Sequence, residues 1–231
     1  MGAVDPRGLF DGISIFATLE PRERDELYRL TTTRRLAARD VLCRKGEPGS
    51  TLYAVTKGRL KVVSTGGDGK ELVFNVMSPG DVIGEISLMD SNPRSATCVA
   101  LEPCELLTLH RRDLIPFFER HPKTAIQVGV VLAALVRRLS ERGEDASFLP
   151  LPNRMAKTVA ALARSYDGGD GAPPEIRLSQ QDLADMIGAT RESVNKWLRS
   201  WEEEGLVELA RARVRVLDVE KLAEIGTYTG L

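Results

Sequence analysis

The residues with the clearest chemical potential lie between Gly84 and Thr97, in the run Gly-Glu-Ile-Ser-Leu-Met-Asp-Ser-Asn-Pro-Arg-Ser-Ala-Thr. Here a carboxylate, Glu85, and a guanidinium, Arg94, stand nine residues apart on a glycine-led loop. A cyclic nucleotide presents the matching groups: a ribose 2'-hydroxyl that needs an acceptor such as Glu85, and an anionic phosphate that suits the planar, permanently charged fork of Arg94. Gly84 lets backbone approach closely, N–H groups at the start of a short helix from Glu85 to Met89 can point at the phosphate, and Ser95 adds a hydroxyl. The same two charges could equally form a surface ion pair worth little energy.

A second constellation runs from Leu178 to Val194 and has a helix-turn-helix layout. Ser179 can cap the first helix, small Ala184 lets the second pack closely, Gly188 can take the positive-φ turn, and Val194 plugs the angle between the helices. At 100° per residue, Arg191, Glu192, Asn195, Lys196 and Arg199 fall on one arc of the second helix, while Val194, Trp197, Leu198 and Trp201 fall on the other. Arginine, lysine and glutamate at a helix start are side chains that read base edges. Beyond Gly205, Leu206–Leu209 and Val214–Leu217 read as a hairpin whose Arg211, Arg213 and Arg215 suit phosphates.

The elements that must position these groups follow from the texture of the chain. A helical pattern from Leu9 to Leu30 gives way, between Thr32 and His110, to short β-rich runs: Val41–Arg44, Thr51–Val55, Leu60–Ser64, Leu72–Met77, Ser95–Leu101 and Glu105–Leu109. Glycine turns separate them, as in an antiparallel sandwich or jelly roll. Helices are expected at Arg111–Arg120 and from Pro122 onward, where Val128, Leu132, Leu135 and Leu139 recur at coiled-coil spacing and predict a dimer seam. Pro150 and Pro152 are expected to end that helix and mark a boundary before a helix Asn153–Tyr166 and a connector Asp167–Pro174.

Composition narrows the function classes. The 231 residues, 42% hydrophobic, suffice for two domains. A net charge of -1 gives no global basic field, so any nucleic-acid contact rests on a local patch. Cys43, Cys98 and Cys104 lack metal-ligand spacing and read as buried free thiols in a reducing compartment. No apolar leader or membrane-length run appears, so a cytoplasmic protein without membrane contact is expected. With two histidines, His110 and His121, and no hydrolase, zincin or phosphate-loop motif, no enzyme is expected.

Taken in this order, β-roll, loop motif, long helix and winged helix-turn-helix, the chain resembles the CRP/FNR family of bacterial transcription regulators. Gly84-Glu85-Ile86 and Arg94-Ser95-Ala96 match its phosphate-binding cassette, and Thr190 to Lys196 its recognition helix. The resemblance implies an α+β fold with a cyclic-nucleotide-binding β-roll over residues 1–121, a dimerisation helix and hinge over 122–150, and a winged helix-turn-helix over 151–231. It also implies a homodimer on palindromic double-stranded DNA that meets RNA polymerase and responds to cAMP or cGMP. Matched by position, Gly84, Glu85, Ile86, Arg94 and Ser95 would hold the ribose and cyclic phosphate. Arg191, Glu192 and Lys196 would read bases, with Ser179, Thr190, Asn195, Arg199 and Arg213 as further DNA contacts. Lys196 replaces an arginine and loses its rigid fork. Leu139-Ser140 stands where cAMP binders carry Thr-Ser, leaving Ser140 as the candidate for the base. No metal, haem or iron-sulfur cluster is implied: the cysteine cluster of oxygen sensors is missing before Leu9, and His110 is the one candidate axial ligand in the roll. Two alternatives stay open: the same DNA-binding dimer without a nucleotide, and a nucleotide-binding module of an enzyme or channel.

Overall fold

The computed structural model describes residue 10, residues 12–166 and residues 171–227. Its α carbons pack into two compact units, one formed by residues up to Ser64 with Phe74–Arg138, the other by Thr65–Val73 with residues from Leu139 onward.

The first unit begins differently from expectation. Within Leu9–Leu30 the described residues include a 3-10 turn, Ser14–Phe16, and a helix α1 that starts only at Pro21 and runs to Arg29. Ile13, Ile15 and Phe16 are all buried and point around the full circle of a helix, so a tight turn buries them where a one-sided helix could not. Glu20 and Glu23 then form a reciprocal capping box, and Pro21 sits where its missing N–H costs nothing.

Two four-stranded sheets follow. One has the order β1-β8-β3-β6, built from Thr32–Leu36, Cys104–His110, Thr51–Lys57 and Val82–Ile83; the other has the order β2-β7-β4-β5, built from Val41–Cys43, Thr97–Ala100, Leu60–Thr65 and Glu71–Met77. Alternation along β3 decides what lies where. Tyr53 and Val55 join Leu36, Leu42, Leu60, Cys98 and Leu106 in one core. Leu52 and Ala54 pack on the other face against Phe10, Phe16 and Leu27, and against Leu114 and Phe117 of helix α3 (Arg111–Arg120). Helix α2, Glu85–Asp90, interrupts the strands, preceded by Gly84 at φ 96.

The long helix α4 spans Pro122–Phe148. The structure corrects the expected dimer seam at its first two positions. Val128 is fully buried in the core of its own unit and Leu132 packs against the same cluster. Apolar side chains left in solvent include Ile126 at 65%, Val130 at 54% and Val136 at 62% exposure, on the opposite arc with Gly129 and Ala133, while Leu139 of the heptad itself is also exposed. The first half of the heptad, Val128 and Leu132, thus serves packing on the β-roll, whereas Leu135 is half-buried and Leu139 exposed.

In the second unit, helix α5 runs from Leu151 to Tyr166, so Pro152 lies in its first turn and helps start it. The buried Asn153 donates its side-chain amide to the carbonyl oxygen of Ile225 at 2.8 Å. Residues 167–170 of the expected connector lie outside the described residues. Strand β9 (Glu175–Ile176), helices α6 (Gln180–Ile187) and α7 (Arg191–Glu203), strands β10 (Val207–Ala210) and β11 (Arg213–Val216), and helix α8 (Val219–Thr227) complete the unit, with sheet order β10-β11-β9. A Cβ on Gly226 would press on the Lys157 backbone, so glycine lets α8 lie directly against α5. Among the described residues, no helix is long and apolar enough to cross a membrane.

Candidate functional site

Arg94 is 6% exposed, an unusual place for a permanent charge, and the chain holds it from several sides. Its backbone N–H donates to the Glu47 carbonyl at 2.8 Å, and its carbonyl accepts from the Gly46 N–H at 2.8 Å. Nη2 donates to the Thr51 carbonyl oxygen at 2.6 Å, and the guanidinium stands 5.5 Å from the centre of the Tyr53 ring, close enough for cation–π attraction. Nη1 is buried and finds no hydrogen-bond partner. A buried, unsatisfied guanidinium N–H carries a large desolvation cost. An anion would remove it.

The two glycines beside Arg94 have steric reasons. A Cβ on Gly84 would overlap the Arg94 guanidinium and the Thr51 carbonyl oxygen, and one on Gly49 would overlap Ser87. The positive φ of Gly84 excludes a side chain independently. Arg111 steadies the far end of α2 by donating from Nε to the Leu88 carbonyl at 3.0 Å.

No ion pair within 4.0 Å joins Glu85 to Arg94 among the described residues. Glu85 is half-buried, and burial pushes its carboxyl above the ordinary range, against backbone hydrogen bonds and the charges of Arg94 and Arg138. A cavity of about 420 Å³, within the usual range for small ligands, is lined by Arg34, Cys43, Glu47, Thr51, Tyr53 and Arg94, among others. Glu85 is not in its wall. Ile86 is half-buried, Ser95 is exposed, and Ser140 is exposed on α4 within the second unit.

Gly49, Thr51, Tyr53 and Arg34 were missed by the sequence reading. Thr51 and Tyr53 share a strand face by simple alternation, a readable signal. Nothing local links that face to residue 94.

In the second unit Ser179 caps α6, accepting from the Asp182 N–H at 3.0 Å and donating to the Asp182 carboxylate at 2.6 Å. Its hydroxyl proton is thus committed inside the protein. Gly188 ends α6 at φ 73, and Thr190 caps α7 by accepting from the Ser193 N–H at 3.2 Å. Along α7, Arg191, Glu192, Lys196 and Arg199 are exposed together, while Val194, Leu198 and Trp201 are buried. Asn195 parts from that group: it is half-buried and accepts from the Gln180 amide at 3.1 Å. In the hairpin, Arg213 pairs with Glu175 at 3.2 Å and Arg215 with Glu208 at 3.2 Å. Arg211 stands exposed at the tip beside Ala212, whose φ is 55. Glu202 accepts from the Leu209 N–H at 3.0 Å, which ties α7 to the hairpin.

Among the described residues, no group of three or more His, Cys, Asp or Glu side chains could hold a metal ion.

Comparison with known proteins places these two constellations. The family model of the cyclic nucleotide-binding domain matches residues 33–121, and that of the Crp-like helix-turn-helix domain matches residues 153–225. The chain is 31% identical over 181 residues to a CRP-like cAMP-activated global transcriptional regulator of Mycobacterium tuberculosis, covering 78% of this chain and 81% of the relative. It is also 31% identical over 215 residues to a cyclic AMP receptor protein of Thermus thermophilus, covering 93% and 97%. Among solved structures, the catabolite activator protein of T. thermophilus superposes with a TM-score of 0.54 at 31% identity, covering 92% of this chain and 98% of that one. FixK2 of Bradyrhizobium japonicum superposes with a TM-score of 0.76 at 17% identity over 87% and 99%, a likeness of fold.

Proposed function

Because the chain belongs to the CRP/FNR family of transcription regulators, we propose that it is a homodimeric, sequence-specific DNA-binding regulator whose DNA affinity is set by cAMP or cGMP in the β-roll. The observation that carries this reading is Arg94: buried, fixed by four separate contacts, and left with an unpartnered Nη1 amino group beside a glycine that keeps the space clear. The residues present fit a cyclic phosphate. Arg94 supplies charge and donors, Gly84 and Ile86 supply backbone, and Ser95 a hydroxyl. Glu85 receives the ribose, and Ser140 is the candidate for the base.

The roll over residues 1–121 is the sensor, 122–150 the dimerisation helix and hinge, and 151–231 the DNA reader. Two copies meet along Ile126, Gly129, Val130, Ala133 and Val136, the apolar arc of α4 that its own unit leaves uncovered. Ligand works by population shift, favouring the dimer in which two α7 helices stand about 34 to 36 Å apart, one turn of DNA. Arg191, Glu192 and Lys196 read bases; Thr190 and Arg199 meet the backbone. Arg211 is better placed than Arg213 to reach phosphate from the hairpin, since Arg213 is already paired with Glu175. The protein acts without catalysis, in the cytoplasm, with RNA polymerase as its partner at promoters.

The test is selection of binding sites from random duplexes, followed by anisotropy titration with and without each nucleotide. A palindromic site bound at least about tenfold tighter with one nucleotide is expected, a coupling of about 1.4 kcal/mol. Equal affinity in all three conditions would leave a DNA-binding regulator without this effector.

A further inference from the structure

Two of the three cysteines face each other across strands. Cys43 on β2 is the register partner of Cys98 on β7, beside a bulge that places two residues of β2 opposite one of β7. Both thiols are buried, 7% and 3% exposed, in the same roll core. Antiparallel partners stand about 4.5 to 5.5 Å apart at their α carbons, inside the span of about 4.4 to 6.8 Å that a disulfide bridges. Cys43 also lines the cavity that holds Arg94, so a small solute can reach it.

We propose that Cys43, in the wall of the Arg94 cavity, and Cys98 behind it are a redox-active dithiol, which a peroxide closes to a cross-strand disulfide in the folded protein. Cys43 is the attacking thiol. The hydrogen bond from Cys98 holds its thiol below the ordinary range, burial opposes this, and the charge of Arg94 adds to the lowering. Cys98 is pushed the other way by the same hydrogen bond and by burial, which suits the resolving role.

The Cys43 thiolate attacks one peroxide oxygen, the O–O bond breaks, and hydroxide leaves a sulfenic acid behind. The Cys98 sulfur then attacks Cys43, the S–O bond breaks, and the Cys98 proton departs with the hydroxyl as water. Two thiols and one peroxide give one disulfide and two waters. Cys104 takes no part: burial raises its thiol, and its sulfur contacts the carbonyl oxygens of Arg59 and Glu102.

The bridge would form beside the cassette. Strand β7 begins three residues after Arg94, and the turn after β2 holds Arg94 through Gly46 and Glu47, with the Lys45 N–H donating to the Thr97 hydroxyl at 3.0 Å. An anion at Arg94 both covers the cavity and disfavours the Cys43 thiolate, so ligand is expected to slow oxidation.

The experiment is a thiol count and peptide mass map of the native full-length protein treated with hydrogen peroxide. Loss of two of its three thiols is expected, with one Cys43–Cys98 cross-linked peptide and Cys104 reduced. In Cys98→Ser the sulfenic acid at Cys43 is expected to be captured by dimedone. Three thiols persisting in the folded protein, or a bridge involving Cys104, overturns the proposal. Saturating cAMP is expected to slow bridging several-fold where calorimetry shows that it binds, and an unchanged rate there contradicts placement of Cys43 in the ligand wall. Failure of cAMP to bind overturns the effector reading alone, because the thiol count does not depend on it.

Discussion

Among single residues, two charges, Arg94 and Glu85, are held away from water for different reasons. Arg94→Ala is expected to abolish cyclic-nucleotide binding in a calorimetric titration, and Arg94→Lys to weaken it strongly, because a lysine keeps the charge but cannot serve Thr51 and a phosphate through one rigid fork. Glu85 gives an opposed pair of effects. Burial raises its carboxyl above the usual value of 4.5, so the folded state takes up a proton more readily than the unfolded chain, and the ionised group costs stability at neutral pH. That cost fades as the pH falls through the raised value. Glu85→Gln is therefore expected to melt higher than wild type at pH 7, with the gap closing in acid, while losing nucleotide affinity for want of an anionic acceptor. A Glu85→Gln protein that melts lower at pH 7 would contradict the desolvation argument. Both residues were legible in the sequence because their types and spacing match one ligand. Thr51 and Gly49 were not, since what they contribute is a carbonyl oxygen and an absent Cβ, neither of which depends on recognisable side-chain chemistry.

At the scale of elements, the parts that carry their own signals are the ones the sequence reading located. Ser179 and Gly188 mark the helix-turn-helix through a cap and a left-handed turn, and each occupies that position in the structure. Ser179→Ala is expected to cost about 1 kcal/mol, within the range for lost N-caps, read as a shift in the urea midpoint without a change in slope. Trp201→Ala, which empties the fully packed side of α7, is expected to cost about 3 to 5 kcal/mol by the same measurement. Strands β1, β6 and β9 escaped notice for a common reason. Four of the five residues of β1 are exposed, and the other two strands have two residues each, so partner strands rather than hydrophobic alternation create them. Helix α8 was missed although Asp218, which accepts from the Lys221 N–H at 2.8 Å, is a regular capping signal.

At the scale of the whole molecule, the sequence supplied a heptad but not the surface it faces. Val128 and Leu132 turn to the roll and leave Ile126, Val130 and Val136 exposed, the arc on which the proposed dimer rests. Val130→Glu, a change at a half-exposed position, is expected to leave the melting of each unit intact and yield a monomer by sedimentation, with palindromic DNA affinity reduced at least about a hundredfold as the second half-site is lost. A Val130→Glu protein that stays dimeric would contradict the corrected seam. The net charge of -1 is compatible with DNA binding because the exposed cations of α7 and the hairpin tip are local, and part of the acidic run is used internally, as by Glu202 toward Leu209. The central claim is that a nucleotide acts through the buried Arg94. One calorimetric titration of the reduced wild-type protein with cAMP and with cGMP tests it most directly. Saturable binding of at least one of them at one site per chain is expected; no heat of binding from either would contradict a nucleotide acting through Arg94.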